Sequence, residues 1–511
     1  MFSSPLQTEN KPWTSPVRAK EGNYKFVVLP DRTGGPETHV FDRAIQEINR
    51  LAPDFVITSG DLIDGYVSDV SWSAPQWADV LARLSKLDAP FFFVGGNHDL
   101  SNKAQSEDFA RRFGATYYSF SVGKDLFLVL DTESESPMSD AQIGYFESVL
   151  KDWSGRHVYV FMHSPLWYPK NRGGYEKIDA MLSGHEYTVF SGHTHWYYME
   201  ERNGMEYYIV ATAGGDSQLR GVNLGEFDHY LLVSARDGKP AIANIPLGAM
   251  LPNDVVSKET KPLVDWMLGS KYVSIPRVEL PSESPRTFEI NMEFVNVTTS
   301  PMKAAAKFPE REGMSFTPSV FEGTLSPGEA KHLTVKVDNS LETPVGKIAV
   351  ETTCGFTLNG KPESVSSNMN VFTDFVHKLD KSSPVAIECK DPYYVKEDWD
   401  WHGADDGWFD FTVSLEGKYV MIDVKTHDDI IVHDADHDKP QDKVEILFST
   451  GDIENKYELF EDGCIKVPVK QIQDKTFKLN VVFTDCDNPR NTKPSALWWR
   501  RRGENSTFVI K

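Results

Sequence analysis

Cysteine is scarce in this chain of 511 residues: Cys354, Cys389, Cys464 and Cys486 all lie in the C-terminal part, and none stands three residues from another. That spacing excludes a CxxC zinc or redox motif and leaves buried free thiols and a disulfide equally open. No apolar run approaches the roughly 20 residues that cross a bilayer as a helix, and none near the start has the form of a secretory leader. Net positive charge is also missing. With 53 basic and 75 acidic residues the formal charge is −22, which opposes bulk binding of nucleic acid. A composition of 40% hydrophobic and 25% charged residues is that of ordinary globular domains, so no long disordered tract is expected. The length exceeds what one core supports and implies about three domains.

What the chain does have is a set of short strings: PDRTGG ending at Gly35, GDLID at Asp64, GNHD at Asp99, MHS around His163 and GHTH at His195. Most of them put Asp, Asn or His directly after a strand-like apolar run, where an α/β fold presents ligands to a cleft. A pair of divalent cations requires a bridging carboxylate, imidazoles on outer positions and an open face for substrate. On that logic Asp61 bridges, Asp31 and His195 complete one shell, and Asn97, His163 and His193 complete the other. His193 and His195 are two residues apart, so an extended backbone points both to one side. His98 stands beside a ligand without being needed as one, with Asp99 following to orient it, which suits a general acid. Singly, each residue has a plain structural reading: Asp61 as a turn cap, His163 as a core histidine, Asn97 as a turn residue. Jointly, in this order, they point to metal-dependent hydrolysis.

Over the first half of the chain these strings resemble those of the calcineurin-like metallophosphoesterase family. The resemblance implies a four-layer α/β sandwich of two β-sheets flanked by helices, one or two divalent ions (manganese, zinc, iron or magnesium), and hydrolysis of a phosphate mono- or diester. One position departs from it. The family's first motif is Asp, any residue, His, and here it reads Asp31, Arg32, Thr33. A threonine hydroxyl is a weak ligand beside imidazole, so one tight and one weaker metal are expected. Arg32 precedes a glycine-rich turn and a helix expected near 39–51, a setting in which a guanidinium grips phosphate. The connection over 164–184, with Trp167, Tyr168 and Arg172, follows a ligand directly and is expected to select substrate, with Thr33 as a further contact.

The pattern along the chain gives an N-terminal arm over 1–23, loose or acting as a spacer, the phosphoesterase domain over 24–255, and a linker over 256–277. Strand-and-turn alternation over 278–378 predicts an immunoglobulin-like β-sandwich. The region 384–511 is all-β, rich in aromatic and acidic residues, and loosely resembles a family-nine carbohydrate-binding module. There Trp401, Trp408, Trp498 and Trp499, with Arg500, are candidates for stacking on a glycan, against the alternative that they are core. Asp434, Asp436, Asp438 and Glu445 have EF-hand spacing, but Lys439 occupies the position that needs glycine, which excludes an EF-hand. A calcium-binding sandwich loop and a solvated acidic loop remain as alternatives. The third domain points to a phosphorylated glycan, polymer or lipid headgroup outside the cytoplasm, periplasmic or secreted. The competing function is a carbohydrate-binding or scaffolding protein whose phosphoesterase domain is degenerate, with Thr33 as its support.

Overall fold

In a computed structural model of the full chain, the described residues are 2–18, 23–135, 137–236, 239–343, 345–358, 360–397, 401–434, 436, 439–487, 493–500 and 504–511. The chain divides into two units, Met1–Leu268 and Gly269–Lys511.

The first unit runs β1 (Phe2–Ser3), β2 (Tyr24–Leu29), α1 (Thr38–Leu51), β3 (Phe55–Thr58), α2 (Val70–Leu84), β4 (Phe91–Phe92), α3 (Lys103–Phe113), β5 (Tyr118–Val122) and β6 (Asp125–Val129). It continues with α4 (Asp140–Lys151), β7 (His157–Phe161), α5 (Tyr175–Leu182), β8 (Tyr187–Ser191), β9 (Tyr198–Arg202), β10 (Met205–Ile209), β11 (His229–Ala235), β12 (Ala241–Pro246) and α6 (Lys261–Leu268). FVIT of β3 and HVYVF of β7 are buried at every position, because their sheets are covered on both faces. A seven-stranded sheet has the order β1-β5-β6-β7-β8-β10-β9 and a five-stranded sheet the order β12-β11-β2-β3-β4. The two face each other through aromatic rings: Phe26 meets Tyr159 at 5.1 Å and Phe55 meets Phe127 at 5.4 Å between centroids. Phe41 of α1, Trp77 of α2 and Phe109 of α3 pack on the outer side of the five-stranded sheet. Phe146 of α4 and Ile178 of α5 join the core of the other sheet. The four layers are therefore present as expected. Because β2, β3 and β4 run parallel, as do β6, β7, β8 and β10, several strand ends share one rim.

Several expectations need correction. Residues 2–18 are not a loose arm: Phe2 pairs with Val122 of β5, the Trp13 ring lies 5.4 Å from that of Phe2, and Val17 is buried. Apolar side chains in an otherwise polar segment dock it. The expected linker contains α6, which belongs to the first unit and buries Val264 and Met267. The connection over 164–184 contains α5, whose Tyr175, Ile178 and Leu182 face the core. Helix α3 is capped by the Asn102 side chain and carries only Phe109 and Phe113 as a large apolar stripe, too little for the sequence pattern to mark a helix there.

In the second unit, one pair of four-stranded sheets includes Thr287–Val295 with Ala330–Asn339, and Met302–Lys307 with Ile348–Leu358. Phe294 of one stacks on Phe321 of the other at 5.2 Å. A second pair encloses a core of Phe409, Phe411, Ile422, Ile446, Phe477 and Phe508. Trp499 and Arg500 belong inside this unit and form no stacking face: Trp499 packs against Phe411, and Arg500 bonds to Ser506 and Asp374. Trp408 stacks on its own sheet neighbour His427 at 3.8 Å, and the Trp401 ring N–H donates to the Gly407 carbonyl. No disulfide joins Cys354, Cys389, Cys464 and Cys486 to one another.

Candidate metal centre

The rim of the first unit gathers the motif residues. Asp61 follows β3, Asn97 follows β4, His163 follows β7, and His193 and His195 follow β8. One Asp61 oxygen lies 3.1 Å from His163 Nε2 and the other accepts the His98 backbone N–H at 2.9 Å. Asn97 Oδ1 lies 2.8 Å from His163 Nε2 and 2.6 Å from His193 Nδ1. Asp31 accepts the His193 N–H at 2.7 Å and the Ser59 hydroxyl at 2.7 Å, and stands 3.4 Å from His195 Nε2. One atom each from Asp61, His163 and His193 lies within 4.8 Å of the others, and the same holds for Asp31, Asp61 and His195. Asp61 is common to both groups.

Local sequence makes this convergence possible. Asp61, His193 and His195 adopt φ of 55°, 75° and 55°, left-handed conformations that cost on the order of 1 kcal/mol each and persist where surrounding structure enforces them. Gly96 and Gly192 precede ligands because a Cβ there would overlap the carboxylates of Asp61 and Asp31 respectively. The Gly in GNHD and GHTH is thus room for a neighbouring motif's side chain.

The donor set fits divalent ions. His163 Nδ1–H donates to the Ser59 carbonyl at 3.0 Å and His195 Nδ1–H to the Asp216 carbonyl at 2.5 Å. A carbonyl only accepts, so these bonds place the hydrogen on Nδ1 and turn each Nε2 toward the cluster, the usual anchoring of metal-binding histidine. Burial opposes charging His163, but Asp61 and Asp31 outweigh it and hold the ring well above its ordinary value. Burial opposes charging His195 too, yet Asp31 lifts it to about 9. His193 is shifted down by burial and by His163. The carboxylates thus demand positive charge, which ions would supply in place of these protons.

Other expected roles are not met. Arg32 is only 4% exposed: it donates to the Leu62 carbonyl at 2.9 Å and to Asp79 of α2 at 2.6 Å, so it braces α2 and does not grip phosphate. Asp99 does not orient His98. It is fully buried and accepts the backbone N–H groups of Leu62, Ile63 and Gly96 at 3.0, 3.2 and 3.0 Å, tying two motif loops together. His98 is oriented instead by the Asp64 carbonyl, 2.7 Å from its Nδ1. Thr33 is buried and its hydroxyl donates to Asp64, which removes it as a substrate contact. Trp167 is core, packed 5.2 Å from Tyr207. Tyr168 is half-buried and donates to Asp265 at 3.2 Å, while Arg172 is exposed.

Residues the motifs did not flag complete the surroundings. Tyr66 accepts the Asn97 side-chain N–H at 2.8 Å and presents its ring edge to His98 at 4.8 Å. Glu133 accepts the Ser164 N–H at 3.1 Å, next to His163. Trp196 lies 5.6 Å from the Tyr168 ring, with Lys261 Nζ 3.4 Å from its own centroid. The available signals were proximity alone: Tyr66 is two residues past GDLID, and Trp196 follows GHTH directly.

Comparison with known proteins points to the family that the motifs resemble. The family model described as calcineurin-like phosphoesterase matches residues 34–197. The chain is similar to the serine/threonine-protein phosphatase CPPED1 of Rattus norvegicus, 31% identical over 194 residues, covering 32% of this chain and 61% of that protein. It is similar to the Danio rerio protein of the same name, 30% identical over 227 residues, covering 37% of this chain and 73% of that one. A third relative is a probable cyclic nucleotide phosphodiesterase of Pseudoalteromonas sp., 25% identical over 182 residues, covering 33% of this chain and 67% of that protein. The chain thus spans about 60% of the rat relative's length.

Proposed function

The chain belongs to the calcineurin-like phosphoesterase family, and on that premise we propose that it is a metal-dependent hydrolase of phosphate monoesters. The observation that carries the proposal is the sharing of Asp61 between two donor groups, with Asn97, His163 and His193 on one side and Asp31 and His195 on the other. Divalent ions held there (manganese, zinc, iron or magnesium) would supply Lewis acidity toward a phosphoryl oxygen and acidify water. Around them the chain's own residues have separable tasks. The His98 amide aims the Asp61 carboxylate, Tyr66 holds the Asn97 amide so that its oxygen faces the cluster, and Asp99 clamps both loops. With His98 Nδ1–H donating to the Asp64 carbonyl, a doubly protonated His98 ring would carry its second proton on Nε2, from which it would pass to the departing alkoxide and leave the ring neutral. Thr33 is engaged by Asp64, so the Asp31 group has one donor fewer than the Asn97 group and is the weaker site.

The monoester preference rests on the relatives named as serine/threonine-protein phosphatases; the relative named as a probable cyclic nucleotide phosphodiesterase marks the diester alternative. Tyr168 and Trp196, beside the GHTH loop, are proposed to border the substrate, with exposed Arg172 farther along the same connection. The second unit's sandwiches, immunoglobulin-like over 278–378 and carbohydrate-module-like over 384–511, are proposed as spacing elements. Hydrolysis of para-nitrophenyl phosphate against bis-para-nitrophenyl phosphate, with Mn²⁺ and with chelator, tests the reading. A kcat/KM at least about tenfold higher on the monoester is expected, with loss of activity in chelator. The reverse preference would favour a diesterase, and silence on both substrates with glycan binding would favour the scaffolding alternative.

A further inference from the structure

The second unit carries a cluster of carboxylates with a different chemistry. Asp406 precedes the strand Gly407–Glu416, Asp428 ends the strand Tyr419–Asp428 paired to it, and Asp485 ends the strand Thr476–Asp485 of the opposing sheet. Asp429 and Asp487 follow. Two sheet ends therefore deliver acids to one rim of the sandwich. In each of two overlapping triplets, Asp406, Asp429, Asp487 and Asp428, Asp485, Asp487, one oxygen per residue lies within 4.8 Å of the others.

An acidic cluster alone proves little, because exposed ones are commonly solvated. Asp485 is the independent observation. It is only 3% exposed, and neither of its carboxylate oxygens has a hydrogen-bond partner. One oxygen of Asp428 and one of Asp487 are likewise buried without a partner. A buried carboxylate left unpaired is strongly unfavourable, so such groups are normally paired with a cation or protonated. No Lys or Arg among the described residues forms an ion pair with any of these five acids. Gly407 fits the same picture, since a Cβ there would overlap the Asp485 carboxylate.

We propose that Asp406, Asp428, Asp429, Asp485 and Asp487 form a calcium-binding site at the rim of the C-terminal sandwich. Oxygen-only donors, several of them charged, suit Ca²⁺, which takes 6–8 oxygen ligands in flexible geometry. The absence of imidazole and thiolate from the set disfavours zinc. Of the acids that the sequence spacing singled out, Asp434, Asp436 and Glu445 belong to neither triplet. Asp434 pairs with Lys439 at 2.9 Å, Glu445 pairs with Lys443 at 3.2 Å and with Lys456, and Asp438 lies outside the described residues.

The test is thermal unfolding of the full-length protein, first in chelator and then in excess Ca²⁺ or Mg²⁺. In the Asp61→Asn variant, which disables the phosphoesterase centre, calcium at about 100 times its dissociation constant should raise the melting temperature by roughly 5 °C, and Mg²⁺ much less. Asp485→Asn combined with Asp487→Asn should abolish that rise and should also melt higher than the wild type in chelator, because like-charge repulsion is relieved. Asp61→Asn should keep the calcium-dependent rise, separating this site from the phosphoesterase centre. Should the double variant fail to fold, Asp487→Asn alone, at a half-buried position, should weaken calcium binding at least about tenfold. No calcium-dependent rise in Asp61→Asn, an equal rise with Mg²⁺ in that variant, or a rise retained when the Asp485 and Asp487 substitutions are added to it would overturn the assignment.

Discussion

Both units place carboxylates where strands of two sheets end, yet the two clusters differ in how they are held. At the phosphoesterase rim almost every donor has a second anchor: Ser59 on His163, Asp216 on His195, the His98 amide on Asp61, the Ser59 hydroxyl on Asp31. At the sandwich rim Asp485 has no such anchor. Mixed imidazole and carboxylate donors suit ions that do chemistry, whereas an all-oxygen set suits calcium. On the proposed assignments, donor type, more than the number of acids, separates the two rims, since backbone amides also anchor Asp406 and Asp428.

Substitutions can break this comparison on either side. The largest effect is expected from Asp61→Asn, which removes the shared carboxylate: kcat/KM should fall on the order of a thousandfold or more, with loss of bound metal measured by elemental analysis. The paired Asp485 and Asp487 variant should leave the same rate unchanged. Next, His98→Asn should lower kcat about a hundredfold with metal content intact, and less for esters with acidic leaving groups, which need no proton.

A smaller effect concerns pH. In chelator, Asp31 holds His195 at about 9, above its unfolded value. That stabilisation is complete below about pH 6.5 and lost as pH rises toward 9. Melting temperature in chelator should therefore fall across that interval, and the fall should be smaller in Asp31→Asn, the remainder coming from His163, which, despite burial, Asp61 also holds above its ordinary value. The smallest effect is expected from Arg32→Met. Its ion pair with half-exposed Asp79 is screened, so about 1 kcal/mol of stability should be lost with KM unchanged. A large rise in KM would restore the phosphate-gripping role that burial argues against.

How much could be read beforehand follows from the same contrast. The donors of the first rim sit in short strings, each after a buried strand, so Asp31, Asp61, Asn97, His163, His193 and His195 could be named and assembled from residue type and order. Side-chain direction was not readable. Arg32 turns to Asp79, Asp99 to the amides of Leu62 and Ile63, and Trp167 to Tyr207, and each of these partners lies on an element far away in sequence. The layered architecture of the first unit was legible from alternating strands and helices, while docking of residues 2–18 depended on Phe2 and Trp13 finding Phe92 and β5. The acids of the second rim come from strand ends with no local motif, so spacing pointed instead to Asp434 and its neighbours.

The central claim is that Asp61 joins two divalent ions of unequal affinity. Anomalous diffraction from crystals equilibrated with limiting and then excess Mn²⁺ tests it most directly. The account predicts a first peak bounded by Asp61, Asn97, His163 and His193, and a second, appearing only in excess metal, bounded by Asp31, Asp61 and His195. Equal occupancy at limiting metal, or a peak that Asp61 does not touch, would contradict it.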